Sequence, residues 1–117
     1  MRNEMLQDLL KGLKSEGIVN VFLVSRTGMF IAGDEPERSN VDTFSAMAAI
    51  VLGASETATS ELRESVDHIL INLKNSNLVI MGVGKRGVLV VRTKKEADQN
   101  KLIEMIKEKS KKLSDYV

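Results

Sequence analysis

The stretch Gly82-Val83-Gly84-Lys85-Arg86-Gly87 has the G-x-G-x-x-G spacing with which dinucleotide-binding folds hold a pyrophosphate. That chemistry needs the glycines to open a helix whose N-terminus receives the phosphates. Here apolar, β-branched runs flank the segment on both sides and VLVV follows it directly, so it reads as the glycine-flanked tip of a hairpin. It is not a Walker loop either, because Gly-Lys-Arg lacks the following Ser or Thr.

His68 is the only histidine. A general base needs a nucleophile or substrate beside it, and a metal needs further ligands. Asp67 is its sequence neighbour, but adjacent residues of a strand point to opposite faces. His68 is therefore expected to be structural or solvent-facing. Asp34, Glu35 and Glu37 form an acidic loop without the spacing of a calcium loop. Lys94, Lys95, Lys101, Lys107, Lys109, Lys111 and Lys112, mixed with Glu96, Glu104 and Glu108, read as a solvated helix face. With no cysteine in the chain, thiolate metal sites and cysteine catalysis are excluded. No catalytic residue, cofactor site or metal site is expected.

The 117 residues suit one domain, 1–117, able to bury roughly two-thirds of the surface its unfolded chain exposes. Charged residues make up 28% and leave a net +1, no electrostatic footprint for nucleic acid. Phe22, Phe30, Phe44 and Tyr116 are all the aromatic surface available for stacking on bases. The first residues lack the continuous apolar core of a secretory signal, and the longest apolar run, residues 46–52, is far too short to span a bilayer. A cytoplasmic protein without membrane insertion is expected.

Residues 1–15 place Met1, Met5, Leu6, Leu9, Leu10 and Leu13 at helical spacing, with Gly17 as the stop. Residues 18–25 (IVNVFLVS) are apolar on both alternating parities, the mark of a strand covered on both faces. Arg26-Thr27-Gly28 turns the chain into a returning strand, 29–32. A polar loop follows over 33–38. A helix then runs from residue 39 to between 60 and 65, with either Ser39 or Asn40 as its cap. Strands are expected at 66–74, 77–83 and 88–92, forming a meander. Thr93-Lys94-Lys95-Glu96 reads as a capping box that opens a last helix to about Leu113.

The expected order is α-β-β-α-β-β-β-α: an α+β fold of three α/β/α layers around a five-stranded antiparallel sheet. The middle helix takes one face of that sheet and the terminal helices the other. The middle helix, SNVDTFSAMAAIVLGASETATSEL, has too few charges for a helix with one face in water. At 100° per residue one stripe gathers Phe44, Met47, Ala48, Val51, Ser55, Ala58 and Leu62, which are assigned to the core. The opposite stripe gathers Ala46, Ala49, Ile50, Gly53 and Thr57, small or apolar where Lys and Glu belong. A helix about 10 Å across cannot cover a sheet about 24 Å wide, so a second copy of the helix is expected to pack against this stripe.

The chain resembles the roadblock family, domains related to dynein light chains and to regulators of Ras-like GTPases. VSRTGMFIA at 24–32 resembles its first hairpin, FSAMAAI at 44–50 its small-residue central helix, and VLVV at 88–91 its closing strand. Thr27 stands where the family more often has Asp. The resemblance implies dimers that join sheets edge to edge through the strand after the central helix, which adds Asp67, His68, Ile69, Leu70 and Ile71 to the interface. It implies no enzymatic centre, and a role as scaffold or regulator of small GTPases; some bacterial relatives act as GTPase-activating partners. The expected function is a non-enzymatic homodimeric module that binds and regulates a small Ras-like GTPase. The alternatives are an adaptor dimer without a GTPase, or a small-molecule sensor on a profilin-like fold, with Asn20, Ser55 and Asn72 as its polar groups.

Overall fold

A computed structural model describes residues 2–35 and 40–117. The elements are α1 (Arg2–Lys11), β1 (Ile18–Ser25), β2 (Phe30–Gly33), α2 (Val41–Ser60), β3 (Ile69–Asn72), β4 (Ser76–Val83), β5 (Gly87–Lys94) and α3 (Gln99–Ser110), followed by a 3-10 helix, Lys111–Asp115. The order is the one expected from the periodicities. Ser39 as a cap, Glu37 of the acidic loop and Arg38 lie outside the described residues.

The strands form one antiparallel sheet in the order β2-β1-β5-β4-β3. β5 sits at the centre, and Val88, Leu89, Val90 and Val91 are each fully buried. Strand alternation sends Leu89 and Val91 to one face and Val88 and Val90 to the other. The first face packs with Leu6, Leu10 and Leu13 from the N-terminal segment and Ile103, Ile106 and Leu113 from the C-terminal one. The second face packs with Ala48 and Leu52 of α2. The result is an α+β fold of three layers, in which, among the described residues, α2 alone covers its side.

Beside a one-residue shift of β2 and the end of α3 at Ser110, three departures from the expected boundaries matter. First, β5 extends to Lys94, pairing Thr93 with Asn77 and Lys94 with Ser76, so Thr93 is buried in the ladder and cannot cap a helix. Asp98 caps α3 instead, accepting from the Lys101 amide. Second, α1 ends at Lys11 and turn hydrogen bonds carry the chain on to Leu13 and Lys14. Gly17, at φ 93°, is therefore no helix stop; a Cβ there would press on Ala97 and Leu102. Third, β3 spans Ile69–Asn72, shorter than 66–74, so Asp67 and His68 escape strand alternation.

Candidate interaction surface

α2 begins at Asn40, whose side chain accepts from the amides of Asp42 and Thr43. Its buried residues are Ser45, Ala48, Ala49 and Leu52. This corrects the expected core stripe: Met47 is 51% exposed and Leu62 67% exposed, and Ala58 also faces solvent. The inner face is turned by roughly a quarter of a turn from the stripe that hydrophobicity selects. Phe44 and Val51 remain partly buried on one flank, with the Phe44 ring 5.2 Å from that of Phe22.

The opposite flank closes on the turns of the sheet. Gly28, at φ 95°, ends the β1–β2 turn against Ala46, and a Cβ on it would lie 3.1 Å from the Ala46 Cα. Further along α2, Glu56 receives a hydrogen bond of 2.5 Å from Arg26 Nη1. The guanidinium lies where a side chain on Gly82 would otherwise stand. Arg26 Nε and the Ser45 hydroxyl are buried without a partner among the described residues. The approach of the β1–β2 turn to the α2 backbone at Ala46 thus depends on Gly28 lacking a side chain.

The outward stripe of α2 is Thr43, Met47, Ile50, Ala54, Thr57 and Ala58, all exposed and all uncharged. Ile50 is 57% exposed. Of the residues expected at an interface, Ile50 and Thr57 lie on this stripe, Ala46 and Gly53 are half-buried beside it, and Ala49 is buried. Ala49 is 9% exposed. Met47, Ala54 and Ala58 are outward residues that the periodicity misassigned or passed over. Gly53 differs from its small neighbours, since nothing lies within 4 Å of where its Cβ would be.

β3 is an edge strand of the sheet, pairing with β4 alone. Leu73 N–H donates to Ser76 C=O at 2.9 Å. With Ile71 opposite Leu78 and Ile69 opposite Ile80, alternation leaves the N–H and C=O groups of Leu70 and Asn72 pointing outward, with no strand beyond them among the described residues. Ile69 and Ile71 pack on the α2 face with Val51 and Phe44, so the open edge and the helix share one apolar cluster. Leu70 is 41% exposed on the other face.

The two ends of β3 are tied down by charge. Asp67 accepts from Lys107 Nζ at 2.8 Å and lies 2.6 Å from His68 Nδ1. These two residues do interact, contrary to the expectation from strand alternation, because β3 starts only at Ile69. The Lys107 hydrogen bond, then that of His68, holds the Asp67 carboxyl below its usual range, and the Lys107 ammonium is raised in turn. At the far end Lys95 Nζ donates to Asn72 Oδ1, to Leu73 C=O at 2.7 Å and to Asn77 Oδ1 at 3.0 Å. Asn72, half-buried Asn20 and half-buried Ser55 are not gathered into a polar pocket: Asn72 is exposed and engaged with Lys95.

The glycine motif is a hairpin tip, covering the end of β4, the turn and the start of β5. Gly84 adopts φ 63°, and Gly84 and Gly87 leave room for Val117. Among the described residues no group of three or more His, Cys, Asp or Glu could hold a metal ion, and no helix is long and apolar enough to cross a membrane.

The Roadblock/LC7 domain pattern matches residues 3–93. Among solved structures, "MglB with tetrameric arrangement" superposes with a TM-score of 0.86 at 19% identity, covering 98% of this chain and 89% of that one. A Roadblock/LC7 domain from Streptomyces avermitilis gives 0.83 at 19% identity, covering 94% and 95%. Profilin from Schizosaccharomyces pombe gives 0.65 at 13% identity, covering 99% and 95%, so the fold is profilin-like as well. No curated protein sequence matches. At these identities the structural likenesses establish the fold.

Proposed function

The chain belongs to the Roadblock/LC7 domain family, and on that footing we propose that it is a non-enzymatic homodimeric module that binds and regulates a small Ras-like GTPase. One observation carries the reading: the outward stripe of α2 is uncharged, with Met47 and Ile50 more than half exposed, and on the same face of the sheet Phe44 and Val51 of α2 share an apolar cluster with Ile69 and Ile71 of the edge strand β3. Among the described residues one helix covers this face of the five-stranded sheet, and neither its outward stripe nor the β3 edge has a partner. A second copy supplies both at once, since a twofold axis pairs identical surfaces. Gly53 adds support, because a glycine inside a helix costs about 1 kcal/mol and nothing in the protomer requires it. The paired α2 helices then form a platform on which a GTPase docks and its switch loops are repositioned.

The test is direct. The protein is immobilised and offered the Ras-like GTPases of its own organism, each loaded with GDP or with a non-hydrolysable GTP analogue. Retention of one GTPase, with a preference between its nucleotide states, supports the reading. Retention of none, by a protein that sediments as a dimer, replaces it with an adaptor dimer that has no GTPase partner.

A further inference from the structure

Two hairpin tips at one end of the sheet are tied side by side: the Arg26 amide of the β1–β2 turn donates to the Arg86 carbonyl of the β4–β5 turn at 2.8 Å. Beside them opens a cleft of about 680 Å³. Leu6 of α1, Ile31 of β2, Tyr116 and Val117 form its apolar floor, and Lys85 and Arg86 of the β4–β5 turn line it too. The four apolar residues pack with the core cluster of the α1 and α3 face, so the cleft lies on the side of the sheet away from α2.

Lys85 and Arg86 are exposed, and among the described residues neither side chain has a hydrogen-bond or ion-pair partner. Asp115 also lines the cleft, which therefore carries two cations against one carboxylate. A Lys-Arg pair at a turn is often no more than a solvated tip. The floor distinguishes the two cases, because Ile31, Tyr116 and Val117 keep exposed surface in a recess that solvated cations do not need. Surplus positive charge over an apolar floor suits a ligand that is anionic at one point and apolar close by. Nucleic acid calls for a longer run of cations along its phosphates. A bilayer calls for apolar side chains that project, and these are recessed. The cleft is open, whereas a small ligand is mostly enclosed by its site, so an extended chain laid across it is the better fit.

We propose that this cleft docks an acidic peptide segment of a partner protein, whose carboxylates meet Lys85 and Arg86 while a neighbouring apolar side chain settles on Ile31, Tyr116 and Val117. The Arg86 guanidinium offers a carboxylate two parallel N–H donors, and Lys85 adds a point charge beside it. Because the cleft faces away from α2, it stays open when the outward stripe of that helix is covered. The site stands whether or not the chain dimerises or binds a GTPase.

NMR titration of the full, isotope-labelled chain tests this with a panel of capped synthetic peptides. Each peptide holds a Glu-Glu pair and a Leu-Phe pair, separated by none to three glycines. At least one is expected to bind with a dissociation constant below about 1 mM, shifting the amides of Ile31, Gly84, Lys85, Arg86 and Ser114. Lys85→Glu combined with Arg86→Glu should weaken that binding at least about tenfold, because exposed attractions become repulsions. The same doubly reversed chain should gain affinity for the peptide in which Lys replaces Glu. Both positions are exposed and lack polar side-chain partners among the described residues, so spectra unchanged beyond the turn will show that the variant folds. Silence from the whole panel overturns the proposal. Equal binding after Ala replaces Leu and Phe also overturns it, since charge alone would then carry the contact. Shifts centred on Met47 and Ile50 overturn it by placing the peptide on α2. Binding of phosphatidylglycerol vesicles or of dodecanoate, by a chain that ignores every peptide, assigns the cleft to a lipid and overturns it as well. None of these outcomes bears on GTPase capture, which is read separately.

Discussion

Gly28 lies against the backbone of Ala46, so close that a Cβ on the glycine would come within 3.1 Å of the alanine Cα. The β1–β2 turn can approach the α2 backbone because residue 28 has no side chain, and the Ala46 Cβ borders the same contact. Ala46→Leu is expected to destabilise the protomer by about 1–3 kcal/mol through overpacking. Urea denaturation in dilute solution measures it, and an unchanged midpoint would show that the turn gives way freely.

Gly53 predicts the opposite sign. Its absent side chain has open space, so Gly53→Ala should stabilise the isolated protomer by about 1 kcal/mol through helix propensity. In the proposed dimer the same methyl obstructs the neighbouring helix. A higher melting temperature at low concentration with weaker self-association is the expected combination; a gain in both would place Gly53 outside the interface.

Gly82 and Arg26 form a conditional pair. A Cβ on Gly82 collides with the guanidinium that reaches Glu56, so Gly82→Ala should displace Arg26 and lose an ion pair worth about 0.2–1 kcal/mol at this one-third exposure. In an Arg26→Ala background the collision is gone. Gly82→Ala should then stabilise the strand, because glycine weakens a strand interior. A double-mutant cycle reads the change of sign, and equal effects in both backgrounds would dissociate the two residues.

Asp67 has a defined pH signature. Its folded pKa is depressed below the ordinary 3.8, so its contribution is present above that value and lost as pH falls through the folded pKa. Lys107 is raised above 10.5, so the tie is lost again as pH rises through the folded value of the lysine. A carboxyl-resolved NMR titration should place Asp67 lower than a free aspartate. Lys107→Met should move it upward; no movement would assign the depression to His68.

Met47→Glu probes the outward stripe. The side chain is 51% exposed, so the change should alter protomer stability by no more than about 0.5 kcal/mol while strongly weakening self-association and GTPase capture. A large loss of stability in the monomer would show instead that Met47 belongs to the core.

Alternation and turn chemistry determined most of the architecture from sequence alone. IVNVFLVS and VLVV, apolar on both parities, could only be strands covered on two sides, and they occupy the interior of the sheet as β1 and β5. The glycines after β4 had to be a hairpin because a strand follows them. The rotation of α2 about its axis was not legible. A helix that is small or apolar on every side has no amphipathic contrast to orient it, so the contacts of Leu52 and Ala48 with the sheet, and of Ala46 with Gly28, set its phase. Two further features were decided between distant segments: the β4–β5 ladder took Thr93 from the cap of α3, and with β3 starting only at Ile69 Asp67 was left to bond Lys107. Local pattern records what each residue can do next to its neighbours; packing across the layers chose among those options.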